Sequence, residues 1–188
     1  MVSGAFRVRR RPGALAGARG GATAVEFAIV ALPFFALLFG ILELGLIFMA
    51  STTIDAATAA VARQIRTGQF QSGASDNVAG FKSAVCGAMS WISVSDCMSN
   101  LSVDVRTFAS FASIASQPPV KNGQIDQSQL TFSPGAACDI VLVRVFYPWT
   151  LLAPLLEPGL PDLGSGQHLI TSTVAFRNEN FSNGPPCS

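Results

Sequence analysis

The sequence predicts an α+β protein: a long N-terminal transmembrane helix that extends into a small head with a short helix and a small antiparallel sheet. Three observations lead there. A nearly uncharged apolar run fills residues 22–50, an alanine-rich amphipathic stretch carries it on to Gly68, and three segments rich in β-branched residues follow in the second half. The 188 residues leave room for one globular unit besides such a helix. Hydrophobic residues make up 49% and charged residues 12%, against about 25% charged in ordinary soluble domains.

Residues 1–21 read as a flexible leader. Arg7, Arg9, Arg10, Arg11 and Arg19 stand there without an acid, beside Pro12 and with no periodicity. A basic head on an acidic remainder raises the question of nucleic-acid binding. The arginines directly precede an apolar helix, however, which is where the positive-inside rule puts them. No nucleic-acid partner is expected, and the N-terminus is placed in the cytoplasm.

The run ATAVEFAIVALPFFALLFGILELGLIFMA carries only two charges, Glu26 and Glu43. It exceeds the ~20 residues that cross a hydrocarbon core, and membrane helices tolerate a proline such as Pro33. A cleaved secretory signal has an apolar core of about 7–15 residues. This run is longer, and Phe48 and Met49 before Ala50 make a poor cleavage site, so it reads as a retained anchor. Glu43 lies ~25 Å along the helix from Glu26 at 1.5 Å per residue, near the outer interface, where a carboxylate reaches water. A carboxylate within the bilayer costs about 2.5–3.5 kcal/mol on insertion scales. Glu26 therefore either has a partner or sits in the headgroup layer beside the arginines.

In STTIDAATAAVARQIRTG the residues Ile54, Ala57, Val61 and Ile65 recur near helical spacing. Arg63 and Arg66 complement a helix C-terminus, and Gly68 is a stop signal. One helix from Ala22 to Thr67 would be ~70 Å long. Its outer half is amphipathic, so its apolar face must be covered by the chain's own head or by another copy.

Ser75 or Asp76 can cap a second helix reaching about Trp91, with Val78, Phe81, Val85 and Met89 on one side. LSVDVRTF alternates as a half-buried strand. Pro118, Pro119, Gly123, Pro134 and Gly135 mark 116–135 as loop. DIVLVRVFYPW is the strongest strand, with Val141, Val143 and Val145 on one face. A second loop holds Pro154, Pro158 and Pro161, and HLITSTVAFRNE is the last strand. An antiparallel sheet packed on the helix is the simplest closure. The expected division is a leader at 1–21, a membrane and assembly helix at 22–68 and an extracytoplasmic head at 69–188.

Cys86, Cys97, Cys138 and Cys187 all follow the apolar run, and an even count in an exported segment points to disulfides. Cys86–Cys97 would bracket a helix end, and Cys138–Cys187 would tie the C-terminal tail to a strand start. None is spaced as Cys-x-x-Cys and His168 is the sole histidine, so no metal and no cofactor are expected. No nucleophile motif or phosphate loop appears. The expectation is a protein that is not an enzyme; a hydrolase reading would have to rest on Asp104, Asp139 or His168.

GATAVEFAIVALPFFALLFGILELG, followed by AATAAVARQIRTGQ, resembles the TadE-like family, pilin-like proteins of the tight-adherence (Flp-type) pilus machinery of bacteria. The resemblance covers Gly20–Gln69 and extends to Asp139–Phe181, with Asn180 where the family usually has proline. It implies a minor pilin-like subunit or assembly factor in the bacterial inner membrane, with its C-terminal domain in the periplasm. It further implies a cut by prepilin peptidase between Gly21 and Ala22, which leaves Glu26 fifth in the mature helix; Gly20 would leave it sixth. Glu26 and Phe27 would then serve assembly with other pilin-like subunits. The alternative is a single-pass anchored periplasmic protein that is never cut.

Overall fold

A computed structural model describes residues 19–74, 76–89, 92–114, 118–152, 162–164, 166–182 and 187. The arginines up to Arg11, the candidate cap Ser75, Trp91 and the loop with Pro154, Pro158 and Pro161 lie outside the described residues. The long helix, α1, is Arg19–Arg66 and runs through Pro33. Up to Phe39 it forms a unit of its own, and from Gly40 onward the chain forms a second. In the first unit, apolar side chains from Val25 to Phe39 are exposed almost throughout.

In the second unit the outer half of α1 has two faces. Gly40, Glu43, Ala50, Ile54, Ala57, Val61 and Ile65 are buried, at steps of mostly three and four residues that keep one stripe inward. Leu44, Phe48, Asp55 and Arg63 are exposed. The stripe joins the main core with Val103, Val105, Val141, Val143, Val145, Tyr147 and Ile170. Each fully buried Val or Ile contributes about 1.5–3 kcal/mol, which is why the amphipathic half of α1 belongs to the head.

Gly68 ends α1's terminal turns with φ +76°, and a Cβ there would collide with the ring of Phe181. Only glycine adopts that backbone freely. Helix α2 is Val78–Ala88, capped by the Asn77 side chain, which accepts from the Gly80 N–H. It begins one residue later than the expected cap implied and stops before Trp91. Cys97 lies in a further helix, α3 (Val94–Asn100), capped by Ser93. Phe70, Phe81 and Phe132 pack edge-to-face or tilted, with centroids 6.0–6.1 Å apart, and close the core at that end.

Strand β1 is Ser102–Phe108. A short hairpin of β2 (Val120–Lys121) and β3 (Gln124–Ile125) follows within the stretch expected to be loop. β4 is Ile140–Thr150 and β5 is Gln167–Arg177. The main sheet is antiparallel in the order β1-β4-β5. Val105 opposite Val143 and Val143 opposite Val174 place one face on α1. The other face carries Phe146 and Leu169, which with Leu163 form a small second core beside Ile125 and Leu130.

β4 runs alongside the outer half of α1 in the opposite direction. Near its start, the Asn178 N–H donates to the Asp139 carbonyl and the Glu179 N–H to the Arg66 carbonyl, both at 2.8 Å. At its other end, Trp149 within the strand and Leu152 just past it donate to Glu43. From Glu43 to Arg66 the helix rises ~35 Å at 1.5 Å per residue. Ile140–Thr150 spans ~33 Å at 3.3 Å per residue, so the two elements match in length.

Candidate assembly and membrane interface

Gly21, Glu26 and Phe27 all lie near the start of α1 and are exposed, Phe27 at 70%. Ala22 is in the same helix. The peptide bond after Gly21 is therefore part of a helix. Val25, Ile29, Val30, Leu32, Leu37 and Ile41 are likewise exposed. An apolar surface all round a helix, without a protein cover, is what a lipid-immersed segment presents. Among the described residues one helix, α1, is long and apolar enough to cross a membrane, and it fits a single-pass anchor.

Glu43 differs from its expected position. It is 3% exposed and does not depend on water. Its Oε1 accepts from the Trp149 indole N–H and its Oε2 from the Leu152 backbone N–H, each at 3.0 Å. Two donors from the end of β4 thus take the place of the hydration a carboxylate loses on burial.

A second polar cluster lies on the sheet face turned away from α1. The Asp104 carboxylate, fully buried, accepts from Arg144 Nη2 at 2.7 Å, Arg106 Nε at 2.9 Å and the Thr131 N–H at 2.8 Å. Burial by itself would push this carboxyl up; the Thr131 N–H, Arg144 and Arg106 together outweigh burial and hold it below its ordinary value. Arg106 also donates to the Gln129 carbonyl. The cluster pins 129–133 along the edge of β1, where the Val105 N–H donates to the Thr131 carbonyl and the Ser133 N–H to the Val105 carbonyl.

The residues on which a hydrolase reading would rest are dispersed. Asp139 precedes the start of β4, where its carboxylate accepts from the Ala136 N–H. His168 pairs with Trp149 at the other end of the sheet, ~30 Å away by strand rise, with Nδ1 2.7 Å from Asp162 Oδ2. Asp104 lies buried between them. An open groove between α2 and the β1 edge is lined by Val78, Lys82, Met98, Leu130 and Phe132. Burial lowers the Lys82 ammonium below its usual range, and its Nζ donates to the Met98 carbonyl at 3.4 Å. Among the described residues no three His, Cys, Asp or Glu side chains gather as a metal site.

Cys86 stands at disulfide distance from Cys97, with Cα atoms 5.7 Å apart, and Cys138 from Cys187, at 5.3 Å. The first pair links α2 to α3, and the second holds the C-terminal tail at the start of β4. Glu43 with Trp149, and Asp104 with Arg144, are the contacts that sequence reasoning missed. Their only signals are a lone acid in an apolar run and opposite charges at alternate positions of two strands.

Residues 21–63 match the family model described as TadE-like protein. The match begins at Gly21 and ends in the outer half of α1. No curated protein and no solved structure matches the chain.

Proposed function

We propose that the chain is a minor pilin-like subunit or assembly factor of a Flp-type (tight-adherence) type IV pilus. In this reading it is held in the bacterial inner membrane, N-terminus cytoplasmic and head periplasmic. The observation that carries the reading is the TadE-like match over 21–63, which takes in both the exposed apolar run from Val25 to Met49 and most of the stripe buried in the head from Ala50 onward. Residues 1–21 are then a leader removed by prepilin peptidase, 22–68 the assembly helix and 69–188 the head. Gly21 suits the cut because it lacks a Cβ. The bond after it is helical, so the first turn of α1 must unwind in the protease, as helix ends do most readily.

Cleavage creates an α-amine at Ala22. In a bundle of such helices, the Glu26 carboxylate of one subunit pairs with that amine of its neighbour, and Phe27 packs beside it. Assembly moves the apolar half of α1 from lipid into a helix bundle, while the head selects which neighbours fit. The reading assigns the head no catalysis.

Glu26→Ala tests it. Alanine is cheaper in lipid than glutamate, so the variant should still insert. It leaves an amine without its counter-charge, which costs about 3–5 kcal/mol when one partner of a buried pair is removed. Piliation and co-purification with other pilin-like subunits should therefore be lost. Normal piliation and normal recovery of partners would point to a plain, uncut anchor instead.

A further inference from the structure

The exposed apolar surface of α1 and the head overlap in depth. Along α1 the exposed apolar side chains continue past Glu43 through Leu44, Leu46, Phe48 and Met49, and the polar Thr52 and Asp55 come only after them. On its other face, burial against the head already begins at Gly40 and Glu43. The exposed run from Val25 to Met49 is longer than the ~20 residues that fill a hydrocarbon core. The lower end of the head, where β4 stops against Glu43, thus lies level with the outer part of the apolar belt.

That end has the chemistry of the interfacial layer. Leu152 is an apolar side chain 70% exposed, its own backbone N–H held by Glu43. Trp149 is half-buried and fixed through its indole N–H to the same carboxylate. Tryptophan favours the membrane boundary because its ring is apolar at one side and polar at the other. An exposed leucine beside it is better placed against acyl chains than against water.

We propose that the Glu43 end of the head, with Trp149 and Leu152, is a lipid-contacting surface seated in the outer interfacial layer of the bilayer. Glu43 is a positioning residue: it holds Trp149 and Leu152 against the turn of α1 that also carries the exposed Leu44, Leu46 and Phe48. The occupant is lipid, because the surface is continuous with the membrane face of α1. The proposal rests on the anchor reading of α1.

The chain has two tryptophans, Trp91 and Trp149, so Trp91→Phe leaves Trp149 as the single emitter. The full chain would be reconstituted in phosphatidylcholine vesicles, with and without bromine near the top of the acyl chains. In vesicle-floated protein, brominated lipid should quench Trp149 by about twofold or more, as for an interfacial indole. In the unsubstituted chain, a phosphatidylcholine carrying a photoreactive group at the same depth should label the peptide that contains Leu152. Unchanged emission, or an unlabelled peptide, in floated chains overturns the proposal and leaves the anchor standing; the head then stands clear of the lipid or a second copy covers this end. Chains that do not float with the vesicles remove the anchor and this surface together.

Discussion

Asp104 shows how one residue ties a sheet to the segment that edges it. Its carboxylate joins Arg144 on β4, Arg106 on its own strand and the N–H of Thr131. Asp104→Asn takes the counter-charge from a buried guanidinium, at a cost of about 3–5 kcal/mol; the denaturant midpoint of the detergent-solubilised chain should fall accordingly. The pH dependence follows from the lowered carboxyl. A group whose folded pKa is depressed contributes stability above its unfolded pKa of about 4. That stability is lost as pH falls through the folded value. The unsubstituted protein should therefore lose more stability than Asp104→Asn between neutral pH and pH about 3. Equal losses in both would contradict the account.

At the scale of elements, α1 is tied to the sheet at both ends: the Arg66 carbonyl accepts from the Glu179 N–H just after β5, and Glu43 accepts from Trp149 and Leu152 at the end of β4. Glu43→Ala removes the carboxylate that accepts from the Trp149 indole and the Leu152 N–H, about 1–3 kcal/mol for each group that stays unsatisfied. Glu43→Gln keeps a carbonyl oxygen and should recover part of the loss. Thermal unfolding followed by tryptophan emission would rank the three; Ala and Gln variants that unfold alike would argue against the clamp. α1 and β4 are legible in the sequence, because an apolar run and the alternation of Val141, Val143 and Val145 are local signals. The clamp is not legible, since Glu43 and Trp149 stand 106 residues apart and only the packing of β4 on α1 brings them together. α3 is too short, at 7 residues, to show a period. The hairpin at 120–125 announces itself only by Asn122-Gly123, a turn pair with positive φ at both residues. Strand β1 reads as half-exposed from its alternation, yet Asp104 is buried, because 129–133 and the arginines cover its polar side.

At the scale of the whole molecule, the chain combines an exposed apolar helix that fits a membrane anchor, a head built on the outer half of α1, and two cysteine pairs at disulfide distance in the head. Non-reducing peptide mapping should find Cys86–Cys97 and Cys138–Cys187. The second spans 49 residues against 11 for the first, so in the chain-entropy model it contributes about 4 kcal/mol against about 3. Cys138→Ser with Cys187→Ser should then lower the unfolding midpoint more than the corresponding change at Cys86 and Cys97. Free thiols, or a Cys97–Cys138 link, would contradict the pairing. The central claim is that α1 is the processed assembly helix of a pilin-like subunit. Its most direct test is the first residue of the protein extracted from assembled material, read by N-terminal sequencing and intact mass. The account predicts Ala22; a chain that still begins at Met1 or Val2 would contradict it.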